Sequence, residues 1–168
     1  VVEARWLFDL KPDQVGVVLH PESIVHALVE FVDGSVLAQL ARPDMRLPIQ
    51  FALSHPERLP RPEPPLDLAA VGSLRFLPLP LERYPCVGLA RHALAAGGTA
   101  PAALNAADEV AVAWFLEGRL RFTRIPEVIA HALSVHRQGE ADTIEGLLAA
   151  DRQTRGMLEE ERDTWTQP

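Results

Sequence analysis

Eight of the chain's fifteen prolines fall between His55 and Pro85. Proline fixes φ near about −65° and has no N–H to donate, so no helix or central strand runs through such a stretch. The break separates two sequence patterns. Before it, apolar residues alternate with a period of two. After it, they recur every three or four residues. The sequence therefore predicts a first part over residues 1–54, a semi-rigid extended linker over 55–85 and a helical part over 86–168. Within the linker Leu66, Leu68, Val71, Leu74, Phe76 and Leu77 need cover, and Ser73–Phe76 reads as one short strand.

In the first part, Val1–Leu10 reads as a helix with Val2, Trp6 and Leu7 on one face, closed by Pro12. It starts on Val-Val without a capping side chain, so it looks cut. Val15–Leu19 reads as a buried strand. The apolar runs Ser23–Val32 and Ser35–Leu40 flank Asp33-Gly34. Asp-Gly between β-type runs is a strong hairpin signal, because a two-residue type I′ turn needs φ > 0 at both central positions. Val25, Ala27, Val29 and Phe31 fall on one face of the first arm, and Ile24, His26, Leu28 and Glu30 on the other. Both faces are mostly apolar, so each is predicted to be covered, one by a helix and one by another chain. A short helix follows at Pro48–Ser54, with Asp44 as a cap ahead of it.

Beyond Pro85 the pattern predicts helix Val87–Ala96, stopped by Gly97-Gly98. Thr99 is placed to cap the next helix, whose stripe is Leu104, Ala107, Val110, Ala111 and Trp114, with a stop at Gly118. Thr123 is placed to cap a third helix carrying Ile125, Val128, Ile129, Ala132, Leu133 and His136, ending at Gly139. Asp142 with Glu145 resembles a capping box opening a fourth, which runs to about Asp163. The fold class is α+β: a small sheet with a β-hairpin flanked by helices, then the proline-rich linker and a small all-α helical bundle.

Composition excludes several function classes. A net charge of −7 without a basic run disfavours nucleic acid and anionic membrane as partners. No apolar run reaches the ~20 residues of a spanning helix. The single cysteine, Cys86, suits a reducing cytoplasm. Glycine-rich phosphate loops, a His-Glu-x-x-His pair and a Gly-x-Ser-x-Gly elbow are all missing, so residue types and spacing assemble no complete catalytic site in this chain. His20, Glu22 and His26 are the nearest approach to a metal constellation, and histidines hydrogen-bonded at a strand edge are the preferred reading. Asp44 reads as a cap, Arg46 as half of an exposed salt bridge, and Asp151–Arg155 as an i, i+4 ion pair. Carboxylates at Asp108 and Glu109 complement a helix dipole. His92, His131 and His136 read as helix-surface residues, Trp6 and Trp114 as core, and Cys86 as an inert thiol.

The blocks EARWLF (Glu3–Phe8), HPESIVHALV (His20–Val29), DGSVLAQL (Asp33–Leu40), PDMRLPI (Pro43–Ile49), RYPC (Arg83–Cys86) and ALNAADEVAVAWFL (Ala103–Leu116) resemble, in order and spacing, the 1-deoxy-D-xylulose 5-phosphate reductoisomerase family. The resemblance covers essentially the whole chain. It implies the later half of that family's catalytic and dimerisation domain followed by its carboxy-terminal helical domain, with the NADPH domain and the acidic metal ligands upstream of Val1. In such an enzyme a divalent metal (Mg or Mn) holds the substrate's ketone and hydroxyl. The carbon skeleton rearranges to an aldehyde, and NADPH delivers hydride to give 2-C-methyl-D-erythritol 4-phosphate. The resemblance makes His26, Pro43 and Met45 walls of the substrate pocket. It makes the hairpin a homodimer interface and the bundle a brace. It assigns no complete catalytic set, no metal ligand and no bound cofactor to this chain, which alone is expected to be inactive. The alternative is a non-catalytic dimerising scaffold or a small-ligand binding module derived from the family.

Overall fold

A computed structural model describes residues 1–60 and 64–166, so Pro62 of the expected linker lies outside the described residues. The chain forms two compact units, residues 17–79 and residues 1–16 with 80–168. This division differs from breaks at 54 and 85, for identifiable reasons. The first helix, α1 (Val2–Leu7), and a 3-10 turn at Pro12–Gln14 pack on the helix α4 (Pro85–Ala96) and so belong to its unit. At the other boundary, residues 64–79 are not a tether. They hold a short helix α3 (Leu68–Val71), which Asp67 caps by accepting the N–H groups of Ala69 and Ala70, and a strand β4 (Leu77–Pro78). That strand lies one step beyond the expected Ser73–Phe76. It pairs antiparallel with β1 (Val18–Leu19), which is shorter than the expected Val15–Leu19.

The hairpin of residues 17–79 is β2 (Val25–Glu30) against β3 (Val36–Leu40), with Glu30 opposite Val36 and Val25 opposite Leu40. Its turn is not type I′. Phe31 N–H donates to the Ser35 carbonyl at 2.8 Å and Gly34 N–H to the Phe31 carbonyl at 2.9 Å. The loop is therefore Val32-Asp33-Gly34, and only Gly34 has positive φ, at 82°. The sequence signal misleads because Asp33 engages its own side chain. Its carboxylate accepts from Ser35 N–H (2.9 Å) and Ser35 hydroxyl (2.6 Å), which also holds that carboxyl below its usual range. Neither face of the hairpin is covered by the described residues of its own unit: Leu28 is 44% and Val29 is 55% exposed, and they point to opposite faces. Helix α2 (Arg46–Ser54) follows the hairpin, with Pro48 in its first turn.

A second tie closes residues 17–79. His20, Pro21, Glu22 and Ser23 form a turn in which Ser23 N–H donates to the His20 carbonyl at 3.1 Å, with proline at the second position. The Glu22 carboxylate accepts from Arg75 Nε at 2.6 Å and Arg75 N–H at 3.1 Å. His20 Nδ1 donates to the Arg75 carbonyl at 2.8 Å, and its ring stacks on Phe76 at 4.8 Å. These bonds to Arg75 hold Glu22 at about 2, against an ordinary 4.5.

In the other unit, α4, α5 (Ala100–Leu116), α6 (Ile125–Val135) and α7 (Ile144–Glu160) form the bundle, with α8 (Arg162–Trp165) after it. Trp114, Val128, Ile129 and Leu158 are almost fully buried. So are Ala103, Ala106, Ala107 and Ala111, whose small side chains let α5 sit close to its neighbours. Trp6, in contrast, is 63% exposed and is not core. Thr99 makes no side-chain cap bond. It is completely buried and joins the α4–α5 turn to the loop after α6. Thr99 N–H donates to Gln138 Oε1 at 2.9 Å, Gly139 N–H donates to Thr99 Oγ1 at 3.0 Å, and His136 Nε2 lies 2.9 Å from that oxygen. His136 is thus a half-buried partner rather than a surface residue, and burial pushes its pKa down. Thr123 lies in a 3-10 turn, and α7 is capped by Thr143, which accepts from Gly146 N–H at 3.0 Å. Asp151 pairs with Arg155, and Arg155 also donates to Glu109 at 2.6 Å, tying α7 to α5.

Three outcomes follow from this architecture. No atom lies within 4 Å of a Cβ built on Gly34, so Gly34→Val meets backbone strain alone. It should cost about 1–3 kcal/mol of hairpin stability, while Gly34→Asn costs much less, measured by thermal unfolding. Equal losses for the two would refute the left-handed assignment. Thr99→Val strands the Gly139 N–H and removes the hydroxyl from His136, and should destabilise the helical unit by about 1–3 kcal/mol; an unchanged melting temperature would show the node to be dispensable. Because the folded-state pKa of Glu22 is lowered, its stabilisation of residues 17–79 is present above about 4.5 and is lost as pH falls from there toward about 2. An acid titration of the backbone amide resonances should show that loss, and Glu22→Gln should flatten it.

Candidate functional site

The ladder of β2 is interrupted at one point. Val25 faces Leu40 and Ala27 faces Gln39, so consecutive residues of β3 oppose residues two apart on β2. His26 is the extra residue of a β-bulge. Bulges leave one residue out of the ladder, bend the strand and re-aim a side chain. Three residues earlier, Ser23 sits at φ 51°, an uncommon conformation for a residue with a side chain. The Glu22–Arg75–His20 tie lies directly beside that kink in sequence. No local spacing reveals this arrangement, since Glu22 and Arg75 are 53 residues apart.

On the partner strand, Ala41 N–H donates to the Ile24 carbonyl at 3.0 Å, and the chain then leaves the sheet through Arg42 and Pro43. Asp44 accepts from the Arg46 N–H at 2.9 Å and from the Arg46 guanidinium at 2.7–3.1 Å, which starts α2. The N-cap position of α2 is Met45 rather than Asp44, and no side chain caps the helix; Asp44 instead closes a local turn with Arg46, which is its ion-pair partner. Met45 between them is 70% exposed. The register therefore brings all three sequence-predicted residues, His26, Pro43 and Met45, to the open end of the hairpin, opposite to its loop, and all three are exposed. An exposed imidazole, a rigid ring and a thioether at one end of a sheet offer hydrogen bonding and apolar contact to a small polar ligand.

His20 and Glu22 do not join His26 there, because both are engaged by Arg75. Among the described residues no three His, Cys, Asp or Glu side chains come together as a metal site. Elsewhere, the cleft between α5 and α7 is lined by Glu109, Glu117, Arg155 and Arg162, whose charges pair with one another. Cys86 lies at the surface, and desolvation of its sulfur by neighbouring atoms together with the Asp108 charge pushes its thiol up, away from the reactive range. No helix among the described residues is long and apolar enough to cross a membrane.

Comparison with known proteins agrees on one family. Residues 40–157 match the model of the DXP reductoisomerase C-terminal domain. The 1-deoxy-D-xylulose 5-phosphate reductoisomerase of Cupriavidus metallidurans is 54% identical over 92% of this chain and 40% of its own length. That of Pelotomaculum thermopropionicum is 52% identical over 94% and 41%. Among solved structures, the Zymomonas mobilis reductoisomerase in complex with NADPH aligns over 94% of this chain and 42% of its own, with TM-score 0.86 and 34% identity. A DOX-P reductoisomerase in complex with NADPH, fosmidomycin and magnesium aligns over 95% and 41%, with TM-score 0.88 and 42% identity. The chain spans about 40% of the length of the curated relatives it matches. With sequence relatives and fold in agreement over nearly all of its residues, and the family model over residues 40–157, the chain belongs to the 1-deoxy-D-xylulose 5-phosphate reductoisomerase family.

Proposed function

We propose that this chain is the carboxy-terminal share of an NADPH- and metal-dependent reductoisomerase that converts 1-deoxy-D-xylulose 5-phosphate to 2-C-methyl-D-erythritol 4-phosphate in the non-mevalonate route to isoprenoids, working in the cytoplasm. The observation that carries the reading is the 54% identity to a reductoisomerase over 92% of the chain. The exposed group at the open end of the hairpin supports it. There His26 supplies hydrogen bonding to the sugar phosphate, Pro43 keeps the loop after β3 rigid, and Met45 closes apolar surface over the substrate. The same reading assigns residues 1–54 to the later half of the catalytic and dimerisation domain, 55–85 to the connection and 86–168 to the carboxy-terminal helical domain. That division by family layout is distinct from the compact units 17–79 and 1–16 with 80–168.

When bound in the whole enzyme, the metal (Mg or Mn) supplies Lewis acidity and NADPH supplies hydride. The described residues of this chain fit neither group. Among the described residues no trio of metal-ligating side chains converges, and Lys11 is the chain's only lysine, which leaves scattered arginines to hold a polyanionic cofactor. The chain alone is catalytically silent. It is also a homodimer through the hairpin, since Leu28, Val29, Phe31, Val36 and Leu37 expose apolar surface on both faces. The same exposure supports the second reading, a dimerising scaffold or small-ligand module without chemistry.

A chimaera separates the two readings. This chain replaces the matching segment of the Cupriavidus metallidurans enzyme, and NADPH oxidation with the sugar phosphate is followed. Activity that falls at least ~10-fold in His26→Ala supports a pocket role. An inactive but folded chimaera favours the scaffold. With the chain alone, calorimetry should show no saturable NADPH binding with or without magnesium, and sedimentation equilibrium should show dimers. Micromolar NADPH binding would end the claim of silence, and a monomer at every concentration would end the claim of dimerisation.

A further inference from the structure

Glu22 lies outside the proposed pocket group, yet its carboxylate is tied to a residue 53 positions away, at the base of the hairpin. Its carboxylate takes two hydrogen bonds from Arg75, at 2.6 and 3.1 Å, and its Oε2 lies 3.3 Å from His20 Nδ1. His20 in turn is pinned by the Arg75 carbonyl and the Phe76 ring, with its side chain only 7% exposed. Between this tie and His26 stand three residues, of which Ser23 is held at φ 51°. A left-handed serine is strained and persists only where its surroundings over-determine it. The turn bond from Ser23 N–H to the His20 carbonyl fixes one side of the kink. On the other side, the bond from Ala41 N–H to the Ile24 carbonyl and the Val25–Leu40 pair fix the chain entering β2. A kink fixed at both ends leaves the one-residue surplus between Val25 and Ala27, and that surplus is His26.

We propose that Glu22 is a positioning residue for His26: by clamping Arg75 and the His20–Ser23 turn, it sets the kink that places the bulge at His26 and turns that imidazole out of the ladder. Without the clamp Ser23 relaxes to a right-handed or extended conformation. The strand then gains the freedom to slip by one residue, which turns every side chain of β2 to the opposite face. Glu22 touches no reacting group; it acts through the backbone. Its relevance to catalysis rests on the reading that His26 lines the pocket, but its effect on His26 does not.

The experiment has a spectroscopic arm on this chain and a kinetic arm in the chimaera. The imidazole carbon–proton resonances of His26 should be a single sharp pair. In Glu22→Ala and in Arg75→Ala they should shift or split, and the double variant should be no worse than either alone. Glu22→Gln keeps an acceptor for the Arg75 N–H groups and should restore most of the native position. Asp33→Ala loosens the same hairpin at its far end and serves as the control. If Asp33→Ala moves the His26 resonances as much as Glu22→Ala does, or if Glu22→Ala leaves them in place, the proposal is wrong. In the chimaera, Glu22→Ala should lower kcat about 10-fold with little change in the KM for NADPH, and should add nothing to His26→Ala. A fully additive pair would overturn action through His26. A chimaera in which His26→Ala is harmless would instead overturn the pocket reading, leaving the spectroscopic arm to decide on the positioning.

Discussion

A two-stranded sheet has two faces and cannot cover either of them itself. That constraint governs residues 17–79. The hairpin arms alternate apolar residues on both sides, yet Leu28, Val29, Val36 and Leu37 remain between 44% and 65% exposed. Isolated hairpins are marginal in water. This one is held by polar ties at its two ends rather than by a core: Asp33 with Ser35 at the loop, and Glu22 with Arg75 at the base. Its apolar surface is a demand for a neighbour. The part of the relatives that this chain does not span, or a second copy, is the source of cover consistent with a family whose members are more than twice as long as the match.

The helical unit shows the opposite economy. Trp114, Val128, Ile129 and Leu158 are buried among alanines of α5, and long-range polar contacts stitch the surface, Arg155 to Glu109 and His131 to Glu161 at 2.7 Å among them. This unit completes its own core.

Much of this was legible in the residues. Period-two and period-3.6 patterns located β2, β3, α5 and α7, because each of these elements has one face whose burial or pairing is decided locally. The glycine pair after α4 and Gly118 after α5 mark real helix ends, with φ of 64°, 55° and 73°. What failed were positions whose role is set by distant partners. Thr99 looked like a cap and is instead a buried node for residues 37–40 positions away. Asp33 looked like half of a type I′ turn and instead bonds Ser35. Trp6 shares a face with apolar neighbours but is exposed. At the candidate site, His26, Pro43 and Met45 were named from family resemblance, and the register brings them to one end. The bulge that singles out His26 was hidden, because a bulge is a relation between two strands and not a property of either sequence.

The Thr99 node has a consequence for how the bundle meets acid. The Thr99 hydroxyl always accepts from the Gly139 N–H, and its single proton has two possible destinations, His136 Nε2 at 2.9 Å and Gln138 Oε1 at 3.3 Å. With His136 neutral and its Nε2 unprotonated, the hydroxyl donates to the imidazole. With His136 charged, the imidazole donates to the hydroxyl, which turns its own proton to Gln138. Rotation of one bond thus keeps every partner satisfied on both sides of the titration. Acid imposes the desolvation cost of a half-buried charge but breaks no hydrogen bond at the junction. The junction is tolerant of a proton, because a hydroxyl rotor redirects its single hydrogen bond when the imidazole changes from acceptor to donor.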